Sequence, residues 1–141
     1  MARTETERLL NEIGQLLADE TGHQLAGVLL YAQVEANMVG TDIFIERSNH
    51  VEYSRTGDSL TYPLLDLWEE EEPEKRWAEM EYSLRNGKFT VTFTYSNEID
   101  PDEDYAAHFA RRDRIVKRHF GEKPIVCPPM PEGDGVQHFD L

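Results

Sequence analysis

Residues 76–96 read Arg76-Trp77-Ala78-Glu79-Met80-Glu81-Tyr82-Ser83-Leu84-Arg85-Asn86-Gly87-Lys88-Phe89-Thr90-Val91-Thr92-Phe93-Thr94-Tyr95-Ser96. Asn86-Gly87 is a strong hairpin signal, because a type I′ turn needs positive φ at both central residues. Folding on that turn sets Arg85 opposite Lys88. Leu84 then meets Phe89, Tyr82 meets Val91, Met80 meets Phe93 and Ala78 meets Tyr95, which makes an apolar face. The other face pairs Ser83 with Thr90, Glu81 with Thr92 and Glu79 with Thr94, and it is polar. A slip of one residue would scramble both faces, so the register is well specified. The expectation is a half-buried antiparallel hairpin with one solvated, acidic face.

Before the hairpin, Thr4 and Glu7 have the spacing of a capping box. Leu9, Leu10, Ile13, Leu16 and Leu17 follow at helical intervals and Gly22 supplies a stop, which predicts an amphipathic helix over 4–21. Leu25 to Glu35 begins almost continuously apolar and ends alternating, as a central strand would. Asn37 to Gly40 reads as a turn, Thr41 to Arg47 as an alternating strand, and His50 to Ser54 as a short third strand. Thr61 is placed to cap a short helix with Pro63 in its first turn. Glu69-Glu70-Glu71-Glu72 closes that helix, where four like charges oppose the macrodipole.

After the hairpin, Asp100-Pro101-Asp102-Glu103 has the form of a cap, a proline at the first helical position and an early acid. It predicts a helix over 101–120 with Tyr105, Phe109, Val116 and Phe120 as its apolar stripe. Arg111, Arg112, Arg114, Lys117 and Arg118 make its second half basic. The dipole accounts for bases there; a nucleic-acid-binding helix is the alternative. From Glu122 onward, the prolines around Cys127 and the Glu132-Gly133-Asp134-Gly135 run predict an extended tail without regular structure. The expected architecture is a single α+β domain over 1–121, in the order αβββαββα, with a tail over 122–141. Its antiparallel sheet has about five strands, with helices packed on one face.

Composition narrows the function classes. The chain has 141 residues, 28 acidic against 14 basic, and a formal net charge of −14. Such a charge disfavours nucleic acid and anionic membrane and speeds encounter with a basic partner. The single cysteine excludes an internal disulfide and a Cys-x-x-Cys site, which suits a reducing cytoplasm. No signal peptide is visible and no apolar run approaches the ~20 residues of a membrane span.

No residue pattern declares catalysis. The five histidines, His23, His50, His108, His119 and His138, form no zinc-binding motif. His108 and His119 could share a helix face, and a carboxylate working with either is the enzyme alternative. No phosphate-binding glycine loop or nucleophile elbow is present. No metal or cofactor is expected. What stands out is an acidic stretch with tryptophans set into it: Asp66, Trp68, Glu69, Glu70, Glu71, Glu72, Glu74, Trp77, Glu79 and Glu81. Asp100, Asp102, Glu103 and Asp104 are expected at the same end of the sheet. Clustered carboxylates mimic phosphates and fit the basic groove of a nuclease, with tryptophan as an anchor.

The chain also resembles the YezG-like antitoxin, or immunity-protein, family. The residues that carry the resemblance are Trp77, Glu81-Tyr82-Ser83-Leu84, Asn86-Gly87-Lys88-Phe89, Phe93-Thr94-Tyr95, Asp104-Tyr105 and His119-Phe120-Gly121 with Pro124. It is closest over about 77–124. The last helix carries Val116-Lys117-Arg118-His119 in place of an aromatic-rich ending, and the proline-rich tail is additional. The resemblance implies a cytoplasmic immunity protein that neutralises a cognate toxin, often a nuclease, by direct binding and without turnover. A regulatory adaptor that offers its proline tail as a peptide ligand is a third reading. Whether the chain is a monomer or a dimer is open at this level.

Overall fold

The computed structural model describes residues 2–23, 26–54 and 58–127. Helix α1 spans Ala2–Thr21, and strands β1, β2 and β3 span Val28–Glu35, Met38–Glu46 and Val51–Ser54. Helix α2 (Thr61–Glu69) follows a short 3-10 turn, and a second such turn covers Pro73–Lys75. The hairpin β4 (Glu79–Arg85) and β5 (Lys88–Thr94) leads through Ser96–Glu98 to helix α3 (Tyr105–Phe120) and a two-residue strand β6 (Ile125–Val126). One six-stranded sheet results, in the order β5-β4-β1-β2-β3-β6. All neighbours are antiparallel except β3 and β6, which are parallel.

The hairpin has the expected register from Arg85↔Lys88 to Glu79↔Thr94. Asn86 and Gly87 sit at φ 53° and 74°, the left-handed pair that the turn requires.

The sheet is covered on both faces, which corrects the one-sided packing expected from sequence. Leu9, Ile13 and Leu17 of α1 and Leu64 and Leu67 of α2 bury one face with Val28, Leu30, Ile43, Met80 and Tyr82. Ile115, Val116 and Phe120 of α3 bury the other with Leu29, Tyr31, Phe44 and Val51. β1 lies between the two layers, and Val28 to Ala32 are buried without a break, as a strand covered on both sides must be.

Several boundaries move. α1 begins at Ala2, so Thr4 lies inside the helix and not at its cap. β1 spans Val28–Glu35, and Leu25, the expected start, lies outside the described residues. The β1–β2 turn is Ala36-Asn37, with Asn37 at φ 65°, so Met38 to Gly40 belong to β2. Leu60, not Thr61, precedes α2, and no side chain caps it. α3 begins four residues later than expected. Its cap is Asp104, which accepts the Ala107 amide at 2.8 Å, while Asp100 accepts the Asp102 amide in the preceding turn. The chain from Glu122 to Val126 is part of the domain: Val51 N–H donates to the Pro124 carbonyl, and Lys123 bridges Glu46 and the Arg47 carbonyl. Residues 128–141 of the expected tail lie outside the described residues.

Candidate protein-binding end

The carboxylates singled out from sequence divide into three groups: buried Glu79 and Glu81, half-buried Glu103, and an exposed remainder. Glu79 and Glu81 are 3% and 5% exposed, so the acidic face of the hairpin is not solvated. Helix α3 lies over it. Arg111 grips Glu79 with two nitrogens at 2.6 and 2.8 Å and holds Glu103 with two more contacts at 2.8 and 2.9 Å. Arg118 and His119 Nε2 converge on Glu81. Arg111 and Arg118 stand two turns apart on α3 and meet side chains two residues apart on β4, and the long guanidinium stems absorb the difference in spacing. Arg111, Arg118 and His119 therefore have a role beyond the dipole, since they neutralise buried acids, while Arg114 and Lys117 stay exposed. Arg112 likewise turns to Asp42 and packs against Phe44, Tyr53 and Phe109.

These pairs set the local electrostatics. Burial pushes the Glu81 carboxyl up, but the hydrogen bonds from His119 and Arg118 outweigh it, and the group titrates below its ordinary value of 4.5. Hydrogen bonding from Arg111 similarly lowers Glu103, against a smaller opposing effect of burial. Burial, reinforced by Glu79, raises the Tyr31 phenol. The Tyr31 hydroxyl is buried and has no hydrogen-bond partner among the described residues.

Both tryptophans serve the fold. Trp77 is 3% exposed and packs on Phe93 at 5.3 Å. Trp68 is half-buried, donates Nε1–H to the Trp77 carbonyl at 2.8 Å, and has Arg76 stacked over its ring. The same Arg76 donates to the Glu71 carbonyl, which relieves part of the charge conflict where α2 ends. Trp77 is enclosed, whereas Trp68 keeps part of its surface exposed.

The third group is exposed. Asp66 and Glu69 lie on α2, Glu70 to Glu72 on the chain leaving it, Glu74 in the next 3-10 turn, and Asp100, Asp102 and Asp104 before α3. Only Glu72 among the glutamates from 69 to 74 has an ion-pair partner in the described residues, Lys75 at 3.7 Å on the surface. Two separate clefts collect some of these acids. Glu74 and Glu98 line one cleft with Tyr95, and Asp104 lines another with Glu103, Tyr105, His108, Gln33 and Met38.

The exposed apolar side chains at this end differ from those expected. Tyr105 is 84% exposed and Met38 50%; Tyr95 and Phe109 are also exposed. Placing the α3 cap at Asp100 put Tyr105 inside the buried stripe. With the cap at Asp104, Tyr105 is the first helical residue and projects past the sheet. The sequence signal for this was present, since Asp104 is itself a good cap residue.

His108 Nδ1 lies 3.5 Å from Glu103 and His119 Nε2 2.9 Å from Glu81. No group of three or more histidine, cysteine or acidic side chains among the described residues is arranged to hold a metal ion. None of the described helices is long and apolar enough to cross a membrane. No family model matches the chain, and no curated protein does.

Proposed function

We propose that this protein is a binding protein of the immunity type, which neutralises a basic toxin domain through the acidic end of its sheet. The observation that carries the reading is the division of charge. Most of the bases near the sheet are spent on internal acids: Arg85 and Lys123 on Glu46, Arg111 on Glu79 and Glu103, Arg112 on Asp42, and Arg118 on Glu81. The glutamates from 69 to 74 are left almost without internal partners, in a chain of net charge −14. Unpaired exposed carboxylates beside exposed Tyr95, Tyr105 and Met38 form a surface with a charged field and apolar contacts, as electrostatically steered interfaces require. The binding residues are Asp66, Glu69, Glu70, Glu71, Glu72, Glu74, Asp100, Asp102 and Asp104. Glu79, Glu81, Trp77 and Glu103 support the fold beneath them. The resemblance to YezG-like antitoxins supports the choice of a toxin as the partner.

The test is affinity capture from the native host at low and high salt, repeated with Glu70, Glu71, Glu72 and Glu74 reversed to lysine. A basic polypeptide retained in near-stoichiometric amount by the native chain, and lost by the variant or in high salt, is the expected result. Equal retention by both would overturn the acidic-end reading.

A second reading has one observation in its favour. His108 and Glu103 line an open cleft with Gln33 and Tyr105, where a histidine–carboxylate pair could move a proton. Glu103 is held by Arg111, which keeps it ionised and weakens it as a base. Replacing His108 and His119 together leaves binding intact in the immunity reading and abolishes activity in the enzymatic one.

A further inference from the structure

The two edges of the sheet are built differently. At one edge, β6 has only two residues, Ile125–Val126. That is how native sheets blunt an edge. At the other edge, β5 has seven residues, Lys88–Thr94, pairs among the described residues only with β4, and contains no proline. Its one charged residue is Lys88, at the end. From Phe89 to Asn97 there is no charged side chain, in a chain that is 30% charged.

We propose that β5 pairs antiparallel with β5 of a second copy of this chain, on a two-fold axis through Val91. The phase of the ladder favours this pairing. A two-residue hairpin makes Arg85–Lys88 a hydrogen-bonded pair, so Thr90, Thr92 and Thr94 also bond to β4. The N–H and C=O groups of Phe89, Val91 and Phe93 then point out from the edge. Centred on Val91, each of these three meets an outward-pointing residue of the second copy: Val91 meets Val91, and Phe89 meets Phe93. All outward groups are satisfied, by about six hydrogen bonds.

Side chains agree with the same axis. Phe89 and Phe93, one exposed and one half-buried, would pack across the strands on the α1 face. There Phe89 already stacks on Tyr82 at 5.0 Å and borders an open groove lined by Gly14, Gln15 and Ala18. On the α3 face Thr90 meets Thr92, a favourable cross-strand pair. Lys88 meets Thr94, so no like charges oppose. Copies of so acidic a chain repel one another elsewhere, and this uncharged edge is where that repulsion is least. The surface is distinct from the acidic residues of the proposed toxin contact, so the two can fail separately.

The experiment is sedimentation of the full chain over a concentration series, with hydrogen exchange read residue by residue. The expected result is a dimer, with the Phe89, Val91 and Phe93 amides protected only at concentrations where it forms. Thr90 and Thr92 should be protected throughout. Val91→Pro removes the outward donor while the bonds of Thr90 and Thr92 to β4 remain, at some cost in packing, and should raise the dissociation constant about 30-fold, the loss of two hydrogen bonds at the axis. T90K/T92K leaves the backbone donors in place, sets lysines opposite one another, and should give monomer with unchanged circular dichroism. A monomer at every concentration would overturn the proposal. So would a dimer indifferent to both variants, or the three amides protected in a monomer, which would mean that another segment of the same chain, or another molecule, covers the edge.

Discussion

Glu69–Glu72 and the Glu79–Glu81 pair stand on either side of one short turn, and their carboxylates end in opposite environments. The first group leaves the end of α2 into water, with one weak surface ion pair. The second is buried under α3 and held by Arg111, Arg118 and His119. Residue type does not separate them. What separates them is whether a covering helix brings guanidinium groups to the right height above the sheet. A buried, paired acid is costly to disturb, because removing its partner strands a charge away from water. An exposed acid costs little to lose, and it remains available to another molecule.

The sharpest break of this contrast is Arg111→Ala. It leaves Glu79 buried without its bidentate partner and frees Glu103, and should cost about 3–5 kcal/mol in urea unfolding. A cost under about 1 kcal/mol would mean that α3 does not seal Glu79 from water.

Acid sharpens the comparison next. The Glu46 and Glu81 carboxyls are pushed up by burial but drawn lower by Lys123 and Arg85, and by His119 and Arg118, to sit below 4.5. A folded-state pKa below the unfolded one adds stability that is complete above pH 4.5 and is lost as pH falls through the folded value. Unfolding free energy should therefore decline below that pH. A chain with Glu69, Glu70, Glu71 and Glu72 changed to glutamine should keep the same acid midpoint, because those groups contribute no folded-state pairs of consequence. A shifted midpoint would show that the exposed run is coupled to the fold.

Asp104→Ala removes the α3 cap and should cost about 1 kcal/mol. Its effect on partner binding, compared with that of Glu70→Lys, separates the structural from the recognition role of the acids before α3. The smallest expected effect is Glu70→Ala together with Glu71→Ala. Thermal unfolding should change by less than about 0.5 kcal/mol, and the sign should favour the variant, since two like charges leave the negative end of a helix.

The hairpin's turn and its register from Arg85↔Lys88 to Glu79↔Thr94 were legible, although the burial of its acidic face was not. Asn86-Gly87 and the alternation on each side fix turn, register and faces by local rules alone. The α1 stripe was legible for the same reason, since Leu9, Ile13 and Leu17 recur at the helical period and all three are buried. The second helix layer was harder to read. Continuous burial of Val28 to Ala32 required two covered faces, and the unbroken apolar start of β1 carried that signal. The polar face of the hairpin obscured it, because Glu79 and Glu81 read as solvated. The acidic surface was half legible: the acids after α2 and before α3 are exposed as their wet runs suggest, while the exposed aromatic, Tyr105, depended on which of two good cap residues starts α3.

By itself the sequence determined the elements other than β6, the hairpin register and the net charge, since each depends on neighbours along the chain. Tertiary structure alone decided which charges remain outward. Arg111 and Glu79 are 32 residues apart, as are few of the pairs that local periodicity can see. Burying an acid is acceptable only when a base from another element arrives with it. That arrival is a property of packing, and it left the glutamates after α2 open to water and those of β4 enclosed.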